Sequence, residues 1–291
     1  MPAREVWRFD AIGTVWEIET DTALPDGVRE DVRALVAAFD LAWSRFRADS
    51  AVSALAGGAA SVPAPPDAGP MLDAFAALSA ATGGAVNPLV GGSLESLGYD
   101  ASYTLAGGDP RPAPDDWRSL LSWTDGMLSL TAPATIDVGA LGKGRLVDRV
   151  LAVVSRHVDG DIVVDASGDL AVRGTPVRIG LEHPYDRRRA IGVWEVSDAA
   201  LCASAVNRRA WVDEAGDGLH HVLDARTGLP VRAVAATWAV APDAMRADAV
   251  ATALFFDGGP EIAAEWGASW VRMTTDGRLE WSPESKAELF A

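Results

Sequence analysis

Residues 5–20 alternate between apolar and polar side chains and are rich in Val, Trp, Ile and Thr, a pattern that predicts an opening strand or hairpin. The period then changes. Val28, Val32, Leu35, Val36, Phe39, Trp43 and Phe46 recur at the three- and four-residue spacing of one helical face, with Asp26 placed after Pro25 to cap the helix. A Gly- and Pro-rich loop over 57–70 follows, then a second helix with Leu72, Phe75 and Leu78 on one face and Gly83 as its stop. Residues 107–116 form another loop. Short strands are expected within MLSLTAPATIDVG, and a helix from near Gly144, where Leu146, Val147, Val150, Leu151 and Val154 keep helical spacing.

The second half adds a strand, a Gly turn and a strand over 161–173, two strand-like runs over 177–196 and another over 234–241. A last clear helix is expected from about Asp243 to Phe256, and a terminal hairpin over 268–281. Strands and helices come in runs rather than in strict alternation, which points to an α+β fold rather than a doubly wound sheet. There is no tandem repeat and no visible boundary, so residues 1–291 are expected to form one domain.

Composition narrows the function. The net charge of −16 would repel a phosphate backbone or an anionic membrane surface, and the one dense basic run, Arg187-Arg188-Arg189, reads as a solvated loop. No stretch of about 18 apolar residues is present, so no membrane span is expected, and the chain reads as cytoplasmic. The lone cysteine, Cys202, rules out an intrachain disulfide and a Cys-based zinc site; it is expected to be a small buried side chain.

Three segments carry candidate chemistry. Asp248 and Thr252 are four residues apart on a helix of small apolar residues, so they share a face. A carboxylate buried there is costly unless a cation offsets it, and two hard oxygen ligands suit magnesium. A helix-start carboxylate and a threonine bonded back to its own backbone would explain the same spacing. The run Ile136-Asp137-Val138-Gly139-Ala140-Leu141-Gly142-Lys143-Gly144 reads as a strand-to-helix turn, either a phosphate-binding turn with Lys143 as a point charge or a plain tight turn. His220, His221, Asp224, Arg226, Thr227 and Gly228 form a polar cluster that could do acid–base work or simply close a hairpin on its own backbone.

Taken together and in order, these segments resemble the ApbE family, the FAD:protein FMN transferases, from about residue 9 to residue 257. The matching segments are Ile12-Gly13-Thr14; Ser44-Arg45-Phe46 with Asp49-Ser50 through Leu55; Gly84 to Pro88; Asp137 to Asp148; Asp165 to Gly174; His221 to Pro230; and Ala247 to Thr252. The resemblance implies an α+β fold with helices packed on mostly antiparallel sheets. It implies Mg²⁺ held by Asp248, Thr252 and the carbonyl of Ala140. It implies FAD contacts at Ile12, Phe46, Ala85, Val86, Asn87, Asp137, Lys143 and Val222.

The implied reaction is phosphoryl transfer. A Thr or Ser hydroxyl of an acceptor protein would attack the FMN phosphorus of FAD and AMP would leave, with His221, or next Asp248, taking the proton. The same residues would serve magnesium-dependent hydrolysis of FAD to FMN and AMP, or a non-catalytic FAD-binding protein. The chain departs from the family at Asn87, where Asp is usual, at Ala203-Ser204-Ala205 for Thr-Ser-Gly, at Ala225 for Pro, and at Ser167-Gly168-Asp169 for Gly-Gly-Asp.

Overall fold

Residues 4–212, 216 and 218–290 are described in a computed structural model. The opening alternation forms the hairpin Glu5–Ala11 and Thr14–Thr20, paired from Glu5 with Thr20 to Ala11 with Thr14. Its two-residue turn needs positive φ at both positions, and Ile12 (φ 44°) and Gly13 (φ 74°) supply it. A β-branched side chain is unfavourable in that backbone region, by about 1–2 kcal/mol.

The hairpin starts an eight-stranded sheet that continues through Ile162–Asp165, Asp169–Arg173, Ala199–Ala205, Val234–Ala241, Ser269–Thr274 and Leu279–Trp281. Every neighbouring pair is antiparallel. Both faces are covered. The helices Asp26–Trp43, Gly142–Val154 and Ala244–Ala253 pack on or over one face. A three-stranded sheet of Val177–His183, Asp186–Val196 and Glu288–Leu289 covers the other, with Leu181, Trp194 and Trp238 in the core between them. Burial on both faces explains why Val234–Ala241 reads as an almost unbroken apolar run rather than an alternation.

Several expectations shift. Asp26 does not cap its helix: Pro25 holds the cap position and Asp26 lies in the first turn, where its charge suits the positive end of the dipole. Phe46 lies beyond that helix, which ends at Trp43. The segment 136–138 is a loop rather than a strand, and the following helix starts at Gly142. The run Arg187-Arg188-Arg189 lies on a strand, yet all three side chains are exposed as expected of a solvated run, with Arg187 and Arg188 paired to Glu182 and Asp186.

The helix Ala244–Ala253 is buried nearly all round. Its free N–H groups are fully used. Asp148 accepts from Ala244 and Met245 at 2.7 and 3.0 Å, Asp243 accepts from Arg246 through its side chain, and Ala247 donates to the Asp243 carbonyl. Burial pushes the Asp148 carboxyl up to about 6, against the two N–H bonds that pull it down. Its folded pKa lies above the ordinary 3.8, so its contribution to stability is fully present below that value and is lost as pH rises through about 6. Asp148→Asn is therefore expected to flatten the fall in melting temperature between about pH 4 and 6. An unchanged slope would show that this carboxyl does not titrate there.

The two central helices cross at Gly144. A Cβ there would collide with the Ala244 carbonyl and come within 2.7 Å of the Asp248 Cβ. Gly144→Ala is expected to cost about 1–3 kcal/mol through overpacking. Gly92, also helical but with open space around it, takes alanine without loss. Equal denaturation midpoints for the two variants would refute the close crossing.

Candidate functional site

The Gly144 crossing sets Asp248 against the start of the neighbouring helix. Asp248 is 4% exposed, and its Oδ2 accepts the Gly144 N–H at 2.9 Å. One turn further on, the Thr252 hydroxyl donates to the Ala140 carbonyl at 3.2 Å. The carboxylate, the hydroxyl and the carbonyl expected to act together thus converge from two segments more than a hundred residues apart in sequence.

Next to them lies a group that sequence reading did not single out. Asp169 is 1% exposed, and Lys143 Nζ sits 2.8 Å from its Oδ2. The Asp169 carboxylate finds no hydrogen-bonding partner among the described residues apart from this ion pair. Burial drives the Asp248 carboxyl well above its ordinary value, the neighbouring Asp169 charge adds to the rise, and Lys143 opposes it. Burial alone would lower the Lys143 ammonium, but Asp169 and Asp248 outweigh it and the net shift is upward. Two buried carboxylates thus share one ammonium, so ionising both at once is costly unless a further cation is bound.

No trio of His, Cys, Asp or Glu side chains is arranged to hold a metal among the described residues. The Asp248–Thr252–Ala140 group has a different make-up: one carboxylate, one hydroxyl and one carbonyl. These are all hard oxygen donors, and a cation among them would offset the cost of ionising Asp248, so the residues fit magnesium.

The segment between Asp137 and Lys143 joins this centre to an aromatic one. Asp137 accepts from Gly139 N–H at 2.7 Å and from Arg45 Nε at 2.6 Å. The Arg45 guanidinium is buried over the Phe46 ring, 4.2 Å from its centroid, and near Tyr99, 5.0 Å. Arg209 donates to the Tyr99 hydroxyl, and its own carbonyl accepts the His221 N–H. The His221 Nδ1 is sealed and has no partner among the described residues. Burial, then the Arg209 charge, lower its pKa to about 3.

The loop at 85–87 closes the third side. Ala85, Val86 and Asn87 are buried. Ala85 O accepts from Ala225 N, and Asp137 N donates to Pro88 O. Asn87 donates through Nδ2 to Pro114 O and accepts through Oδ1 from Leu89 N, both at 2.8 Å. An ionised Asp could not make the first bond, which accounts physically for Asn at this position. Ala225 is buried and uses both backbone groups, donating to Ala85 and accepting from Ala113.

Val222 is buried, and its N–H reaches His220 Nδ1 at 3.3 Å. The segment from Leu223 to Pro230 is a hairpin whose Asp224 and Thr227 do bond locally. The hairpin that carries Ile12 reaches the site region through Ser167 Oγ, which donates to Val15 O two residues before Asp169 in sequence. A cavity of about 360 Å³ lies beside the site rather than over Asp248, lined by Asp165, Ser167, Gly168, Ala203 and Ser204 among others.

The chain matches the ApbE family over residues 12–271. It belongs to that family. The FAD:protein FMN transferase of Rhodobacter capsulatus is 27% identical over 97% of this chain, and the chain spans only 58% of that relative's length. The FAD:protein FMN transferase of Treponema pallidum is 26% identical over 84% of this chain and 76% of its own. The crystal structure of the ApbE protein of Thermotoga maritima shares the fold, with a TM-score of 0.84 at 23% identity and 97% coverage of both chains. This fold is the expected α+β arrangement of helices on antiparallel sheets. Among the described residues no helix is long and apolar enough to cross a membrane.

Proposed function

We propose that the protein transfers FMN from FAD to a Thr or Ser hydroxyl of an acceptor protein and releases AMP. The observation that carries this reading is the convergence of Asp248, Thr252 and the Ala140 carbonyl beside Lys143 and Asp169. Mg²⁺ bound by those three oxygens would neutralise charge on the diphosphate and on the departing AMP. Lys143 adds a fixed positive charge for a phosphate oxygen. Phe46 and the 85–87 loop, with Asp137, Val222 and Ile12, line the remainder of the FAD site. The acceptor hydroxyl oxygen forms a bond to the FMN phosphorus while the bond from that phosphorus to the AMP oxygen breaks.

The hydroxyl proton goes to His221. Its low pKa leaves the imidazole neutral at physiological pH, with a lone pair free. A pKa near 3 also makes it a weak base until substrate phosphate charge lies beside it. On this reading the chain is one domain built around the site, in keeping with a main core cluster that draws on residues from Trp7 to Trp270. The test is mass spectrometry of a candidate acceptor incubated with FAD and magnesium. The reading expects an added FMN on Thr or Ser and one AMP per modified acceptor. Free FMN with an unmodified acceptor would point to hydrolysis, and intact FAD would leave only binding.

A further inference from the structure

The loop 98–105 holds an aromatic side chain in a position that core packing does not explain. Gly98 (φ 86°), Tyr103 (φ 49°) and Leu105 (φ 51°) all have left-handed backbone, which residues with a Cβ avoid. The loop is pinned there by its own bonds. The Asp100 side chain accepts from the N–H groups of Ser102 and Thr104 and from the Thr104 hydroxyl, and Leu105 N donates to Gly98 O. The product of this ordering is Tyr103, left 53% exposed. Its ring lies parallel to Phe46, at 7° with centroids 5.3 Å apart.

Behind Phe46 sits the Arg45 guanidinium. Its side chain is 2% exposed, and both Nη atoms lack hydrogen-bonding partners among the described residues. Arg45 is tied through Nε to Asp137, and Tyr99 edges onto both Phe46 and Tyr103. A strained backbone that displays a flat ring to solvent, over a second ring backed by a buried cation, is arranged for a planar partner.

Resting on the FAD reading above, we infer that Tyr103 and Phe46 form a stacking subsite for one planar heteroaromatic ring of the dinucleotide. Tyr103 presents the exposed face to the ligand, and Phe46, held by Arg45, backs it. The flavin and the adenine rings share this chemistry, and binding experiments with half-molecules tell them apart.

The experiment is titration of the full chain with FAD, FMN and AMP, each in the presence of magnesium, for the wild type, Tyr103→Phe and Tyr103→Leu. Leucine keeps apolar bulk but has no flat face. Tyr103→Leu is expected to weaken FAD binding about 5- to 100-fold, the scale of one lost stacking contact. It should weaken either FMN or AMP by a similar factor and leave the other within about twofold. Tyr103→Phe should bind like the wild type. Because Tyr103 is half exposed, melting temperatures should stay together. A Tyr103→Leu variant that binds all three like the wild type, or loses both FMN and AMP equally, overturns the subsite while leaving the transfer reading intact. A wild type that binds no FAD overturns both.

Discussion

Asp248→Asn is expected to lower divalent-dependent AMP release from FAD by about 10²–10³-fold or more, the scale seen when one charge-stabilising group is removed from a reaction centre. The same substitution is expected to raise the melting temperature of the metal-free protein. An ionised carboxylate that is 4% exposed, with Asp169 beside it, is unfavourable without a cation. Asparagine can still accept the Gly144 N–H, so the helix crossing survives. Magnesium should reverse the order. A cation at a hundredfold excess over its Kd stabilises the native state by about 2.7 kcal/mol, and only the chain with Asp248 can gain this. Thermal melts of both proteins with chelator and with magnesium read these effects. Equal magnesium shifts in the two would remove Asp248 from the ligand set.

His221→Ala is expected to slow FMN transfer about 10²–10⁴-fold, the usual range for a general base, with FAD affinity held within a few-fold. The backbone N–H of His221 donates to Arg209 O, and Arg209 in turn reaches Tyr99, beside Arg45 and Asp137. The His221 segment is therefore held next to the aromatic end of the site, and its imidazole is neutral and without a partner for Nδ1 among the described residues. Single-turnover rates at saturating FAD, together with a separate FAD titration, separate the two roles. Loss of FAD affinity with an unchanged rate would make His221 a binding residue.

Much of this arrangement is legible in the sequence because it rests on local periodicity. The Asp248–Thr252 pair shares a helix face by spacing alone, and the hairpin from Glu5 to Thr20 follows from its alternation. The strand Ala199–Ala205 is harder to see. Its sequence, AALCASA, has no β-branched or aromatic residue, because the buried alanines of the helix Ala244–Ala253 lie close against it and leave room only for small side chains. Asp169 was hidden for a different reason. Following Ser-Gly, it reads as a turn residue, and only the sheet brings it to Lys143. The aromatic group of Phe46, Tyr99, Tyr103 and Trp211 comes from segments far apart in the chain, so no window of sequence could assemble it.

The claim on which all of this depends is that a divalent ion sits between Asp248, Thr252, the Ala140 carbonyl and the diphosphate of FAD. A crystal structure of the protein with FAD and magnesium measures it directly. The account predicts an ion about 2.0–2.1 Å from oxygens of all three residues and from phosphate oxygens of the dinucleotide. An ion bound elsewhere, or FAD seated with its diphosphate away from Asp248 and Thr252, would contradict it.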